Sequence, residues 1–354
     1  MAKGLDGVVA AETTLSHTDQ ANGMVWVRGV ALPMLVARHG FEGTVALLWD
    51  SFVGEDLSAA GLRDALGQAR IVAYETLPAW LPPAAGRSLF EGVRIALAAQ
   101  PDSADATALL AALTVAVPAL VRQSTGQPPL APDPSHSTAS DLLRMLHGRT
   151  PAADKAAALD TYFTVMCESG LSASAFTARV VASTKASLAA SVLAAWCAFT
   201  GALHGGAPGP TLDMLDAAEA ATDLDAWLEV KLRAGERLMG FGHRVFQGND
   251  PRAEAMRLAM QAMGGPQAGR LDFAARLEKA VAAAIERVKP GRTLPPNVEI
   301  MAALLLDAVG IPRKAFTLVF AVGRSAGWLA HAMEQQKIGR MIRPVSAYVG
   351  PPID

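Results

Sequence analysis

From Ala106 to Val121, and again from Ala186 to Leu203, the chain carries no charged side chain, and both stretches are rich in alanine. Apolar surface of that extent has to leave water, so each stretch demands a partner surface. Small apolar side chains suit closely packed helices, whereas β-sandwiches draw on β-branched and aromatic residues. A bilayer is the other way to hide such a stretch. The first is interrupted by Pro118 and falls short of the roughly 20 residues that a membrane span needs. The second is mostly Ala, Ser and Thr, with Trp196 and Cys197. Both are read as buried helices of a protein outside the membrane.

Composition supports a mostly α fold of enzyme size. The 354 residues allow two domains, or one domain with a large insertion. Hydrophobic residues make up 51% and charged residues 18%, the reverse of a disordered chain. Lys and Arg number 31 against 33 Asp and Glu, a balance without the basic face of a nucleic-acid binder. Cys167 and Cys197 stand far apart with no histidine cluster nearby, which fits neither a disulfide framework nor a zinc site. With no apolar leader after the N-terminus, a reducing cytoplasm is expected.

Turn chemistry divides the helices. Thr150-Pro151 reads as an N-cap followed by proline at the first helical position, with an alanine-rich helix behind it. The cluster Leu142, Leu143, Met145 and Leu146 stops at Gly148, a glycine placed to end a helix. Thr222 reads as the cap of a helix carrying Leu224, Trp227, Leu228 and Leu232, closed by Gly235. Asn297 to Val309 is a further helix, ended by Gly310 and Pro312. Strand character is confined to the first forty or so residues, around Val25-Trp26-Val27 and the turn at Ala21-Asn22-Gly23. Gln127 to Pro134 reads as a proline-rich linker.

Four features are over-specified for packing, although each has an ordinary structural explanation. His204-Gly205-Gly206 closes the second charge-free stretch, where a histidine can simply cap a helix C-terminus. Gly240-Phe241-Gly242-His243 sets two glycines beside a histidine but lacks the third glycine of a dinucleotide fingerprint. Glu299 lies in the first turn of an apolar helix, where a carboxylate complements the helix dipole. Arg324 sits within the apolar run Phe316 to Trp328 and must meet a carboxylate, of the protein or of a ligand.

Taken in order, these motifs resemble one family. Gly201 to Gly206, Gly240 to Val245, Asp250-Pro251-Arg252, Pro296 to Glu299, and Arg343-Pro344 with Tyr348-Val349-Gly350 follow the order and spacing of citrate synthases. The opening Gly4 to Thr13 with Arg28-Gly29, and Phe176 to Thr184, look like that family too. The resemblance spans nearly the whole chain. It implies a mostly helical, citrate synthase-like two-domain fold and a homodimer. Residues 1–204 and 310–354 would form a large domain and 205–309 a smaller, mobile one, with the active site in the cleft between them.

The resemblance also implies roles. Glu299 stands at the family's aspartate base, His204 at its enolate-stabilising histidine, and His243 at the histidine that polarises the ketone of the second substrate. Arg252, Arg324 and Arg343 match three arginines that hold oxaloacetate carboxylates, Arg343 arriving from the other subunit. Ser169 occupies a further oxo-acid contact, and Leu238, Met239, Gly240, Phe241 and Gly242 match the loop that lines the CoA adenine. Acyl-CoA is then a substrate, with no cofactor or metal required. The residue types suit the chemistry. A carboxylate base removes the proton beside a thioester, a donor on the thioester oxygen steadies the enolate, and forked guanidinium groups grip carboxylates.

Three substitutions depart from the pattern. The family's Asp-His-Gly-Leu-Asn-Ala-Ser-Thr-Phe is here Glu168 to Phe176, so Ser169 replaces a histidine and Ser172 an asparagine. Glu299, one methylene longer, replaces the aspartate. Gln247 also stands near a frequent lysine, where it weakens a CoA phosphate contact. The leading expectation is condensation of acetyl-CoA, or a short homologue such as propionyl-CoA, with oxaloacetate or a related 2-oxo acid. A non-catalytic or altered-specificity paralogue that binds acyl-CoA or carboxylates is the alternative that Ser169 and Ser172 suggest. Cleavage of citryl-CoA is a third, against which the retained base argues.

Overall fold

The turn at Asn22-Gly23 closes a hairpin, as its sequence requires. The computed structural model describes residues 3–5, 7–19, 21–54, 57–205, 208–242, 250–265 and 267–352. Strand β1 (Ser16–Asp19) pairs antiparallel with β2 (Met24–Val27), Ser16 facing Val27, and a short β3 (Val30–Ala31) adds to β2. Asp19 Oδ1 accepts from the backbone N–H of Ala21 and Asn22, while Gly23 takes the left-handed φ of 63°. Among the described residues the other regular elements are helical, and the mostly α architecture is borne out.

The helix Phe316–Ile338 is the axis of the molecule, buried from Phe316 through Gln335. Helices Ala106–Gln123, Ala153–Met166, Ala173–Ala182 and Leu188–Phe199 pack around it. Glycine permits the closest approach. A Cβ on Gly327 would run into the Cys167 carbonyl oxygen, and one on Gly323 would press on the Phe163 ring at 3.0 Å. The end of helix Ala153–Met166 is thereby drawn onto the central helix, which matters for the site below. Helices Pro251–Met263 and Val298–Ala308 pack on the same Ala153–Met166 helix from the other direction.

Several boundaries differ from the sequence expectation. Ala106–Gln123 runs straight through Pro118, and although long and apolar enough to cross a membrane, 78% of it is buried inside the protein. Thr150 caps nothing. The helix starts at Ala153, and the first-turn N–H of Lys155 is satisfied by Asp154 Oδ1. Asp223, not Thr222, caps Leu224–Arg233, accepting from Ala226 N at 3.0 Å, and aspartate is the stronger cap. Gly148 and Gly235 end their helices with positive φ, as expected. The second charge-free stretch is helical only over Leu188–Phe199, where the Thr200 hydroxyl bonds back to the Trp196 carbonyl. Residues 127–134 are irregular but strapped down, since Pro128 O accepts from Arg122 Nε and Asp133 N donates to the buried Asp141.

Candidate active site

Six segments meet at one cavity of about 320 Å³, lined by Ser169, His204, Gly242, Arg252, Glu299 and Arg324 among others. The expected residues that reach it do so for local reasons. Beyond Phe199 the chain makes a tight turn in which His204 N donates to Gly201 O and Gly205 N to Phe199 O. That folds the imidazole edge-on against the Phe199 ring, with centroids 5.2 Å apart. Gly205 is obligatory, because a Cβ there would lie 2.5 Å from that ring. His204 therefore caps no helix; it is presented by a turn.

The protonation of His204 follows from its surroundings. The Ser174 backbone N–H donates to His204 Nε2, so that nitrogen carries no hydrogen. Trp328 Nε1 donates to Ser174 Oγ at 3.0 Å, which leaves the Ser174 hydroxyl free to donate to the same Nε2 at 2.9 Å. Burial, helped by the Arg324 charge, holds the imidazole pKa below its usual value. A neutral ring with its proton on Nδ1 results, a donor with no cationic charge of its own. Neither Ser174 nor Trp328 was among the sequence candidates.

Glu299 is fixed through its backbone. Asn297 caps the helix Val298–Ala308, its Oδ1 accepting from Glu299 N at 2.9 Å. The Gly240–Gly242 segment clamps that cap: Asn297 N donates to Gly240 O, Asn297 Nδ2 to Gly242 O, and Gly242 N to Pro295 O. Gly240 sits at φ 81°, and a Cβ on it would meet Ile300 at 2.6 Å. Of the five residues matched to a CoA loop, Gly242 alone lines the cavity, while Leu238 and Phe241 are buried in the core. His243, Arg244 and Gln247 lie outside the described residues.

The anion-binding residues fall into three situations. Arg252 is gripped by Asp250, Nε to Oδ1 at 3.0 Å and Nη2 to Oδ2 at 2.7 Å, and its Nη1 donates to Ser169 Oγ at 3.2 Å. Arg324 donates its Nε to Met166 O at 2.7 Å and lies over the Phe320 ring. Among the described residues no protein carboxylate lies within ion-pair distance of it, so the partner expected for it is not supplied from within this part of the chain. Arg343 is exposed on the extended segment after Gly339 and does not line the cavity.

Beneath the cavity is a charged layer absent from the sequence candidates. Glu168 Oε1 accepts from Ser16 Oγ, Gly170 N and His331 Nε2. Burial opposes its ionisation, yet His331 and Arg324 outweigh that and hold its pKa below the usual carboxylate range. Arg179 continues the layer to Glu334, which accepts from Thr13 and Thr14. Polar residues within an otherwise apolar run, His331, Glu334 and Gln335, are the one signal that sequence gives of it.

The family model described as citrate synthase, C-terminal domain, matches residues 4–345. The chain belongs to the citrate synthase family. It is 33% identical over 375 residues to the citrate synthase of Haloferax volcanii, covering 99% of this chain and 96% of that one. It is 32% identical over 362 residues to the 2-methylcitrate synthase of Mycobacterium tuberculosis, covering 98% and 90%. The crystal structure of citrate synthase from Thermotoga maritima superposes with a TM-score of 0.85 at 27% identity, covering 99% of this chain and 97% of that one.

Proposed function

We propose that the chain is an acyltransferase that condenses acetyl-CoA or a short homologue such as propionyl-CoA with oxaloacetate or a related 2-oxo acid. The products are citrate or 2-methylcitrate and free CoA. Family membership supports the reaction class, and both named activities occur among the relatives. The observation that carries the reading at the site is Arg324, a buried guanidinium facing the same cavity as His204 and Glu299, with no described carboxylate within ion-pair distance and Glu168 acting on it only from further off. A substrate carboxylate is the missing partner.

In this mechanism Glu299 takes the proton from the carbon beside the thioester, and the His204 Nδ1–H donates to the thioester oxygen as charge builds there. The enol carbon attacks the ketone of the 2-oxo acid, whose carbonyl His243 polarises. Water then cleaves the thioester and releases CoA. Arg324 and Arg252 hold the oxo-acid carboxylates, with Ser169 donating beside Arg252. The side chains at 169 and 172 are shorter than the family pattern, which suits a bulkier condensation product. We assign Leu238 to Gly242 to the CoA side of the cleft, residues 205–309 to the smaller domain, and residues 1–204 and 310–354 to the larger.

A cytoplasmic homodimer completes the proposal, with Arg343 entering the partner's cavity. Support comes from the exposed apolar C-terminal segment, where Val345 is 99% and Val349 94% exposed, surface that a second copy would cover. The test is release of free CoA, read with a thiol reagent, across a panel of acyl-CoAs and 2-oxo acids. Arg324→Gln should lower kcat/KM for the oxo acid by about 100-fold, the worth of losing charge-assisted hydrogen bonds of ~3 kcal/mol. No CoA release with any pair, or an Arg324→Gln enzyme with unchanged KM, defeats the reading.

A further inference from the structure

Two buried charges at the floor of the catalytic cavity have no opposite charge in direct contact among the described residues. Glu168 is 3% exposed, and its Oε1 accepts from Ser16 Oγ at 2.9 Å, Gly170 N at 2.6 Å and His331 Nε2 at 3.2 Å. None of those donors is a cation. Arg179 Nη1 donates to His331 Nδ1 at 3.0 Å, so that nitrogen carries no hydrogen and the ring donates to Glu168 as a neutral imidazole. Arg324 is buried too, gives its Nε to the Met166 carbonyl and lies over Phe320. The neighbouring buried ions are paired, Arg179 with Glu334 and Arg252 with Asp250.

Glu168 and Arg324 are neighbours that do not touch. A Cβ on Gly327 would lie 2.6 Å from Glu168 Oε2, and Gly327 stands three residues after Arg324 on the central helix, where i and i+3 share a face. Burial pulls the Arg324 pKa down and the Glu168 charge opposes it, while Arg324 helps to keep Glu168 ionised against its own burial. An uncompensated buried cation is costly. A carboxylate held beyond ion-pair distance offsets part of that cost and leaves the guanidinium edge to a ligand.

We propose that Glu168 sets the anion affinity of the cavity through Arg324, resting on the reading above that Arg324 holds a substrate carboxylate. Glu168 is a positioning residue in the electrostatic sense: it lies beneath the site, and its charge decides how tightly the oxo acid is held and how readily the product leaves. Hydrolysis of the thioester converts an uncharged acyl group into one more carboxylate, so a dianionic oxo acid departs as a tricarboxylate. Coulomb energy scales with charge, and guanidinium groups that attract the dianion attract the product more strongly. A fixed carboxylate behind Arg324 repels the trianion more than the dianion and so weakens product binding the most. Three donors hold it in place, so it acts without reorganising when substrate enters.

Calorimetric titration of oxaloacetate, and separately of citrate, into the full chain without acyl-CoA tests this. Glu168→Gln keeps an acceptor oxygen for the three donors and removes the charge. It should bind oxaloacetate about tenfold and citrate about thirtyfold more tightly, the ratio expected for two charges against three. In steady-state assays its KM for the oxo acid should fall and inhibition by citrate should strengthen, whereas mere loosening of the turn at 168–170 would raise KM. Glu168→Asp and Ser16→Ala retain the charge and should stay within about threefold of the parent. Unchanged or weaker binding in Glu168→Gln overturns the inference, as does an equal tightening in Ser16→Ala. Should Glu168→Gln fail to fold, the double variant Glu168→Gln with Arg324→Gln should fold, because the unbalanced cation is gone; a double variant that also fails overturns the pairing. A parent that binds neither anion and releases no CoA defeats the proposed reaction itself, a result distinct from a parent that binds both beside a Glu168→Gln protein that binds no tighter.

Discussion

Replacing Ser174 by alanine separates the relay behind His204 from everything else in the cavity. In the parent, Ser174 Oγ accepts from Trp328 Nε1 at 3.0 Å and stands 2.9 Å from His204 Nε2; the Ser174 backbone N–H, at 3.3 Å, is the weaker second donor. Removing the hydroxyl leaves that backbone contact as the only described force fixing the tautomer. A lost neutral hydrogen bond is worth about 1 kcal/mol, and freedom of the ring adds a comparable misalignment cost. The sum predicts a fall in kcat of about 10- to 100-fold, since each ~1.4 kcal/mol is tenfold. KM for the oxo acid should not move, because Ser174 touches no oxo-acid arginine. The Trp328 N–H, in a fully buried ring, is left unpaired and costs ~1–3 kcal/mol of stability, visible as a drop of a few degrees in Tm. Trp328→Phe removes the far donor but leaves the serine–imidazole bond, so its effect on kcat should be smaller. CoA release gives the rates, and the ring nitrogen chemical shifts of His204 report which nitrogen holds the proton. A folded Ser174→Ala protein with kcat within twofold of the parent, or a parent with its proton on Nε2, refutes the reasoning.

Asp160 is a buried carboxyl whose pKa is pushed up to about 7 by burial and by the Glu42 charge. A folded pKa above the unfolded 3.8 means that the folded state binds the extra proton between those values, so stability falls as pH rises from about 4 to about 7. The cost reaches about 4 kcal/mol at most, and Asp160→Asn, which keeps an acceptor for Phe41 N, should raise Tm at pH 8 far more than at pH 5; an equal shift at both pH values would contradict this. The buried Tyr162 hydroxyl has no hydrogen-bond partner among the described residues, so Tyr162→Phe should leave Tm unchanged or raise it, and a loss of several degrees in a thermal melt would show a missed partner. Gly205→Ala should abolish activity by driving the His204 turn off Phe199, and an active, folded Gly205→Ala enzyme would count against the role of that turn.

What was legible in the sequence and what was not divides along physical lines. Charge-free alanine runs announce burial, and burial of helices is decided locally, so the helical class could be read directly. The helix from Asn297 and the stops at Gly148 and Gly235 were legible for the same reason, since helix ends are set by residues within a turn of them. The cap misread at Thr222 failed because a stronger acceptor, Asp223, stands next to it, and the one at Thr150 because the helix starts only at Ala153, with no side-chain cap. The cavity could be named because its members fall in an order that resembles a family, and His204, Glu299, Ser169, Arg252 and Arg324 do converge. Their supports left no such trace. Ser174 and Trp328 are 154 residues apart, as are few helical neighbours, and Glu168 meets His331 across 163. No period or spacing encodes those pairs; only the crossing of the central helix with the turn after Met166 does. That crossing in turn depends on Gly327, whose missing side chain lets the Cys167 carbonyl approach. A glycine in the middle of a long helix costs roughly 1 kcal/mol against alanine, and here the cost is accepted because no other residue leaves room for the turn that holds Glu168 and Ser169. The site is thus specified twice, once by the side chains that face the substrate and once by a bare backbone position that lets the helices close on one another.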